Sequence, residues 1–305
     1  MKRLSVVVSA IVLFIMSSPL MARGYTETEY PIVLVHGISG FDSIGGLINY
    51  FHTVPYNLER SGATVYVPSV SAFNSSEQRG QQLANFLSQL PEQKFNLIGH
   101  SQGSPTSRVA AALVPNKVAS VTSVNGVNQG SKVADVVLGV LPEGGISIGL
   151  ASSIANALGD LISFLSGSSG QQDSLAAAIT LSTDGTRQLN EDLDWKGISS
   201  NCRSISENVN IAGNNIKMFS WTGSRPFSNI FDISDAALGV TSLAFQGESN
   251  DGLVSVCSAK LGKVIGVYSS LNHVDAVNHL FGVRGWVNPV SLYRSHANRL
   301  RNRGL

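Results

Sequence analysis

The sequence predicts an α/β fold, with a mostly parallel central sheet, helices on both faces and one helical insertion. Three observations carry that expectation. Short apolar runs of the buried-strand type alternate along the chain with segments of helical periodicity, the order that sets parallel strands side by side with helices crossing over them. One such run, Phe95-Asn96-Leu97-Ile98, passes without a break into Gly99-His100-Ser101-Gln102-Gly103, a strand followed by G-x-S-x-G. Finally, 43% of the 305 residues are hydrophobic and only 13% charged, enough apolar surface for one sizeable core.

The elements follow in order. Ile32-Val33-Leu34-Val35 and Thr64-Val65-Tyr66-Val67 read as the first two strands. Leu83, Phe86, Leu87 and Leu90 fall at i, i+3, i+4 and i+7 of a helix, with Ser75 or Ser76 as its N-cap. The strand at Phe95 comes next, then a helix after Gly103 whose first turn suits Pro105, and then a strand over residues 117–124. Residues 133–170 interrupt the alternation. Within them Leu150, Ile154, Leu158, Leu161 and Leu165 share one helical face, and Ser152, Asn156, Asp160 and Ser163 the other, which predicts an amphipathic helix. Its apolar side either packs on the core or serves as a lid that opens at a lipid surface. A late apolar run, residues 263–267, closes the series.

The chain starts with Lys2 and Arg3, an apolar stretch over residues 4–16, and Ser17-Ser18-Pro19-Leu20-Met21-Ala22. This is the pattern of a signal peptide, so residues 1–22 are expected to be removed and residues 23–305 to be secreted as one domain. The apolar stretch is short of the roughly 20 residues needed to span a bilayer, and no stable transmembrane segment is expected in the mature chain. The two cysteines, Cys202 and Cys257, most simply form one disulfide in an oxidising compartment. A formal charge of +1 gives no basic footprint for nucleic acid.

A serine hydroxyl is a weak nucleophile at neutral pH, so Ser101 needs a general base that is itself oriented by a carboxylate. Of the six histidines, His36 and His100 sit too close in sequence to the glycine turns for productive geometry. His52 and His296 read as structural or surface groups. His273 and His279 remain. His273 follows the loop-like Ser269-Ser270-Leu271-Asn272 and is favoured, because Asp275 to Leu280 looks helical around His279. Asp251, in the turn Ser249-Asn250-Asp251-Gly252, is the candidate acid, and the order Ser101, Asp251, His273 is that of hydrolases built on a parallel sheet. The oxyanion of a tetrahedral intermediate needs two backbone N–H donors. Gln102 supplies one, and Ile38 in His36-Gly37-Ile38-Ser39-Gly40-Phe41 is the candidate for the other.

Taken together, Tyr30-Pro31-Ile32-Val33-Leu34-Val35-His36-Gly37, the segment around Ser101, Asn250-Asp251-Gly252-Leu253-Val254 and Asn272-His273-Val274-Asp275 resemble the secreted bacterial triacylglycerol lipases of the Pseudomonas type (family I), from about Tyr30 to Leu300. The resemblance implies the α/β-hydrolase fold, the triad Ser101, Asp251 and His273, and an oxyanion hole from Ile38 and Gln102. It implies one structural calcium ion, held by carboxylates of Asp232 and Asp275 and carbonyls of His279 and Val283. It also implies the Cys202–Cys257 disulfide, and in many members a dedicated foldase. Calcium suits such a mixed oxygen set, although the spacing matches no EF-hand loop. Gln102 stands where several relatives carry histidine, and His279 where glutamine is common; both implied roles use backbone atoms. The lid sequence departs further from the family.

The activity this implies is ester hydrolysis of acylglycerols at a lipid–water interface through an acyl-enzyme. A carboxylesterase for dissolved short-chain esters is the nearer alternative, and a noncatalytic lipid-binding protein the more distant one, disfavoured by the complete set of nucleophile, base, acid and oxyanion loop.

Overall fold

The computed structural model describes residues 24–38, 50–140, 145–166 and 173–305. The expected signal peptide, Ser39 to Phe41 of the oxyanion loop and parts of the insertion lie outside the described residues. In chain order the first elements are β1 (Ile32–Val35), α1 (Val54–Glu59), β2 (Val65–Tyr66), α2 (Ser76–Gln89), β3 (Phe95–His100), α3 (Gly103–Leu113) and β4 (Val118–Val124). Helices α4 (Lys132–Val137), α5 (Ile148–Ser166), α6 (Ser174–Leu181) and α7 (Thr183–Asp192) follow. The chain then forms β5 (Asn208–Ile211), β6 (Asn214–Gly223), α8 (Ile233–Thr241), β7 (Lys263–Tyr268) and α9 (Pro289–Arg301).

The runs of β1, β3 and β4 are buried at every position, as expected of parallel strands covered on both faces. Their sheet runs β2-β1-β3-β4-β6, all parallel, with β7 parallel to the upper half of β6 and β5 antiparallel to its lower half. Two cores sit on opposite faces. One joins Leu83, Leu87, Phe95, Leu97 and Ala110; the other joins Ile32, Leu34 and Ile98 to Trp221 and Tyr293. Each of the leucine, isoleucine and phenylalanine side chains among them, once buried, contributes roughly 1.5–3 kcal/mol of transfer free energy.

Helix α2 begins where Ser75 Oγ accepts the Gln78 N–H at 3.2 Å, and Leu83 and Leu87 form its buried face. The expected strand at Thr64 to Val67 narrows to two residues in β2. Strand β6 is absent from the sequence reading. Its first half mixes Asn214, Asn215 and Lys217 with Ile216 and Met218, and Ser220 and Thr222 alternate with Phe219 and Trp221 in an all-buried stretch, so no continuous apolar run marks it. Ala212 and Gly213 both take positive φ, 47° and 81°, which makes the tight β5–β6 hairpin.

Candidate active site

The site lies beyond the carboxyl ends of the parallel strands, where open α/β sheets place ligands. Ser101 sits between the end of β3 and the start of α3 with φ of 54°, a left-handed backbone that is strained for serine. The flanking glycines are required by space. A Cβ on Gly99 would stand 2.2 Å from the Gly103 carbonyl oxygen, and one on Gly103 would stand 2.1 Å from that of Val35. The serine N–H donates to Val124 O on the neighbouring strand at 3.0 Å, which ties the turn to β4.

His273 follows β7, and its Nδ1 lies 2.9 Å from Asp251 Oδ2. The other carboxylate oxygen of Asp251 accepts the N–H groups of Leu253 and Val254 at 2.9 and 2.8 Å. Asp251 is fully buried, so these three donors replace its hydration. A backbone bond from His273 N–H to Asp251 O, also 2.9 Å, holds the two loops together. Orientation by Asp251 sets Nε2 on the opposite edge of the imidazole. Ser101 and His273 both line a cavity of about 50 Å³ together with Ile38, Tyr50 and His100.

Helix α5 closes that cavity. Leu158, Leu161 and Ile162 form part of its wall, while Ile154 and Leu161 are buried against the body of the protein. A larger and mostly apolar cavity of about 400 Å³ continues from Ser101 between α4, α5 and α6, past Val133, Val137, Ala178 and Leu181. Of the apolar face expected for the insertion, Leu158 and Leu161 line the cavities beside Ser101, and Ser163, expected on the opposite face, lines the larger one.

Ile38 lines both cavities beside Ser101. Its N–H direction follows from a residue that the sequence reading passed over. Arg79 of α2 is fully buried and donates to the carbonyls of His36 (2.5 Å), Gly37 (3.1 Å), Ser71 (2.9 Å) and Ala72 (3.3 Å). In a trans peptide the C=O and N–H point in opposite directions, so fixing the Gly37 carbonyl on Arg79 turns the Ile38 N–H away from α2. Burial, with Tyr50 opposing it slightly, brings the Arg79 pKa down to about 9, still charged at neutral pH. Gln102 is buried at the first turn of α3, where its side chain donates to Asn74 O at 2.7 Å.

The histidines set aside as bases have structural partners. His36 is held to about 3 by burial and by Arg79, and it accepts the Val70 N–H at 3.2 Å. His296 is buried, with Nε2 2.8 Å from Thr122 Oγ1. His100 bridges Tyr50 and the backbone of His273, contacts that no local pattern reveals. His279 departs from the expected helix: only a 3₁₀ turn, Asp275–Val277, forms before Asn278 adopts a left-handed φ of 57°.

Asp232 and Asp275 are both buried. Asp232 Oδ1 accepts from Ser234 N–H and Oγ–H, and Asp275 Oδ2 from Gly285 N–H, while Asp232 Oδ2 and Asp275 Oδ1 have no hydrogen-bond partner among the described residues. Burial, and then the charge of Asp232, raises the Asp275 carboxyl to about 6. Two buried orphan carboxylate oxygens, on groups close enough for their charges to interact, are the donor chemistry a hard divalent cation needs. The His279 carbonyl also accepts Gly282 N–H, at 3.1 Å. Among the described residues no three His, Cys, Asp or Glu side chains converge; a set of two carboxylates completed by carbonyls does not need a third. Asp235 is a further acid outside the sequence reading. It accepts the Asn272 amide at 2.7 Å and the N–H groups of Ser228 and Asn229 at 2.8 Å, which ties the His273 loop to α8. Cys202 and Cys257 form the expected disulfide, with Cα atoms 4.9 Å apart. No helix among the described residues is long and apolar enough to cross a membrane.

Residues 30–261 match the α/β-hydrolase fold family. A triacylglycerol lipase of Vibrio cholerae is 46% identical over 293 residues, covering 94% of this chain and 92% of the relative. One from Pseudomonas fragi is 38% identical, covering 92% and 98%. Among solved structures, lipase 1 from Pelosinus fermentans superposes with a TM-score of 0.62 at 17% identity over 90% of this chain and 99% of its own, a likeness of fold. The chain belongs to the α/β-hydrolase fold family and, within it, to the bacterial triacylglycerol lipases.

Proposed function

We propose that this lipase works through Ser101 as nucleophile, His273 as general base and Asp251 as the acid that orients it, with Ile38 and Gln102 N–H groups as the oxyanion hole. The observation that carries the assignment is the buried Asp251–His273 hydrogen bond opening onto the same cavity as the strained Ser101 turn. His273 Nε2 takes the Ser101 proton as Oγ attacks the ester carbonyl, and Asp251 stabilises the imidazolium. The oxyanion collapses to an acyl-enzyme as His273 returns the proton to the departing alcohol. Water, deprotonated by His273, then releases the fatty acid and restores the serine.

The apolar cavity under α5 suits an acyl chain, and the burial of Ser101 beneath Leu158 and Ile162 supports α5 as a lid that moves before a triacylglycerol reaches the serine. Asp232, Asp275 and the carbonyls of His279 and Val283 would hold a calcium ion. Bound there, it would cross-link the His273 loop to α8 as a structural ion. The charged, apolar and small-residue sequence of residues 1–22 supports export as a secreted protein, for which a dedicated foldase would be the maturation partner.

The test is fatty-acid release from an emulsified long-chain triacylglycerol, run beside a dissolved short-chain ester and a Ser101→Ala control. Serine-dependent release from the emulsion is expected. Hydrolysis confined to the dissolved ester would move the substrate class to soluble esters, and activity retained in Ser101→Ala would remove Ser101 from the mechanism.

A further inference from the structure

Around the start of α8 the usual partition of side chains is inverted. In Asn229-Ile230-Phe231-Asp232-Ile233-Ser234-Asp235 the two acids are buried, whereas Ile230, Phe231 and Ile233 are 93%, 79% and 65% exposed. A second segment repeats the pattern: Trp286 is 94% and Phe281 71% exposed, beside the buried Asp275 and His279. The segments are fastened together. Asn229 Nδ2 donates to Arg284 O at 3.0 Å, a Cβ on Gly285 would lie 3.1 Å from Ser228 Cβ, and Trp286 N–H donates to Ser270 Oγ at 2.8 Å. Bonds from Ser228 and Asn229 N–H to Asp235 brace the first segment from within. Exposure of the large apolar groups is thus imposed by a hydrogen-bonded framework that turns every carboxylate inward.

We infer that these two joined loops are a lipid-surface anchor, with Ile230, Phe231 and Trp286 entering the acylglycerol or acyl-chain layer. The inference deepens the interfacial reading of the site and rests on it. Its occupant follows from position and chemistry. Helix α8 packs along the cavity-covering helix, where Leu238 meets Leu161 and Val274, so the patch is carried at the start of a helix seated directly on α5. The outward side chains are aliphatic and aromatic. Across residues 225–235 and 275–286 the only charged side chains that are not buried are Arg225 and Arg284, whose sign complements fatty-acid carboxylates at a partly hydrolysed surface. An exposed tryptophan beside large aliphatic groups is the composition that settles at membrane–water boundaries.

The experiment uses the full protein with Ser101→Ala to prevent hydrolysis, and phosphatidylcholine vesicles doped with oleate. Binding should shift the tryptophan emission to the blue and expose it to quenching by brominated acyl chains, and Trp286→Phe should remove most of both signals. In the background with Ser101 present, Ile230→Ser with Phe231→Ser should weaken vesicle binding and emulsion hydrolysis about tenfold or more while leaving kcat/KM on a dissolved ester within about twofold. Ile230→Leu with Phe231→Leu should restore binding. Vesicle binding equal to wild type in the serine pair, or an unquenched Trp286, overturns the anchor; so does a patch-dependent dimer whose dissociation leaves vesicle binding unchanged. Vesicle binding through the patch without fatty-acid release from emulsions would instead refute the interfacial lipase reading and leave the anchor standing.

Discussion

His100 Nε2 lies 2.9 Å from the backbone carbonyl of His273, and the two imidazoles meet at a tilt of 51° with centroids 4.8 Å apart. A carbonyl only accepts, so Nε2 carries the proton and Nδ1 is the acceptor for Tyr50 O–H, 2.7 Å away. Burial, reinforced by the neighbouring His273, drives the His100 pKa well below the ordinary histidine value, which keeps the ring neutral and this arrangement intact at neutral pH. Tyr50 and His100 therefore hold the carbonyl of His273, while its N–H is held by Asp251 O at 2.9 Å.

His100→Ala should lower kcat on a dissolved ester by about tenfold, equivalent to about 1.4 kcal/mol of barrier, with a smaller change in KM. His100→Gln, which still offers an N–H to the carbonyl, should recover most of the loss. The rates are to be normalised by titrating active serines with a fluorophosphonate. If kcat per titrated serine is unchanged in His100→Ala, the contact serves stability alone.

Arg79 should matter to the transition state more than to substrate binding. Its fork fixes the His36 and Gly37 carbonyls, and with them the Ile38 N–H. Lysine keeps the charge but cannot span four carbonyls from one planar group. Arg79→Lys should reduce kcat by about tenfold to a hundredfold, approaching the loss of one oxyanion donor. Arg79→Met should do so with a lower melting temperature as well, since the four carbonyls lose their guanidinium donors and Gly37 O is left with the His36 Nδ1, 2.9 Å away. Steady-state kinetics of Arg79→Lys that show only a raised KM would refute this.

These two residues mark where sequence reading stops. Strands β1, β3 and β4 were legible because burial on both faces leaves unbroken apolar runs. The serine turn was legible because its glycines answer to steric demands local to the turn. Arg79 sits in α2 among Glu77, Gln78 and Gln81 and reads as a solvated helix charge, although it faces inward and is bonded to carbonyls 42 and 43 residues away. His100 was visible only as a poor candidate base. Its role as a brace depends on Tyr50 and His273, 50 and 173 residues distant. Strand β6 was lost because Ser220 and Thr222 are buried in a strand whose neighbours satisfy them, with Ser220 Oγ accepting the Leu261 N–H at 3.0 Å. Local pattern carries backbone geometry and binary burial, and long-range polar contacts fall outside it.

Stability should fall as pH drops below about 6.5. His36, depressed to about 3 by burial and Arg79, and His100 and His296, pushed well below the ordinary value by burial, are neutral in the folded protein. In the unfolded chain they protonate near 6.5, so there the unfolded state binds more protons. Each contributes a slope of up to about 1.4 kcal/mol per pH unit, present from about pH 6 downward until its folded pKa is reached. Denaturant midpoints measured at about pH 7, 6 and 5 should decline progressively, with a gentler decline in His36→Asn. A midpoint that is level across this range would show that these rings take up protons without unfolding.

Calcium should raise the melting temperature by joining what is otherwise a destabilising pair. Asp232 and Asp275 each bury an oxygen with no hydrogen-bond partner among the described residues, and their charges oppose one another. An ion bound at about a hundred times its dissociation constant adds about 2.7 kcal/mol, or roughly 5–10 °C for a domain of this size. Chelation should remove that increment from the wild type. Asp232→Asn abolishes one ligand charge and the repulsion together, so its melt should be insensitive to calcium and should lie at or above that of the chelated wild type. Wild-type melts that superimpose with and without chelator would refute the site, and an Asp232→Asn variant still stabilised by calcium would place the ion elsewhere.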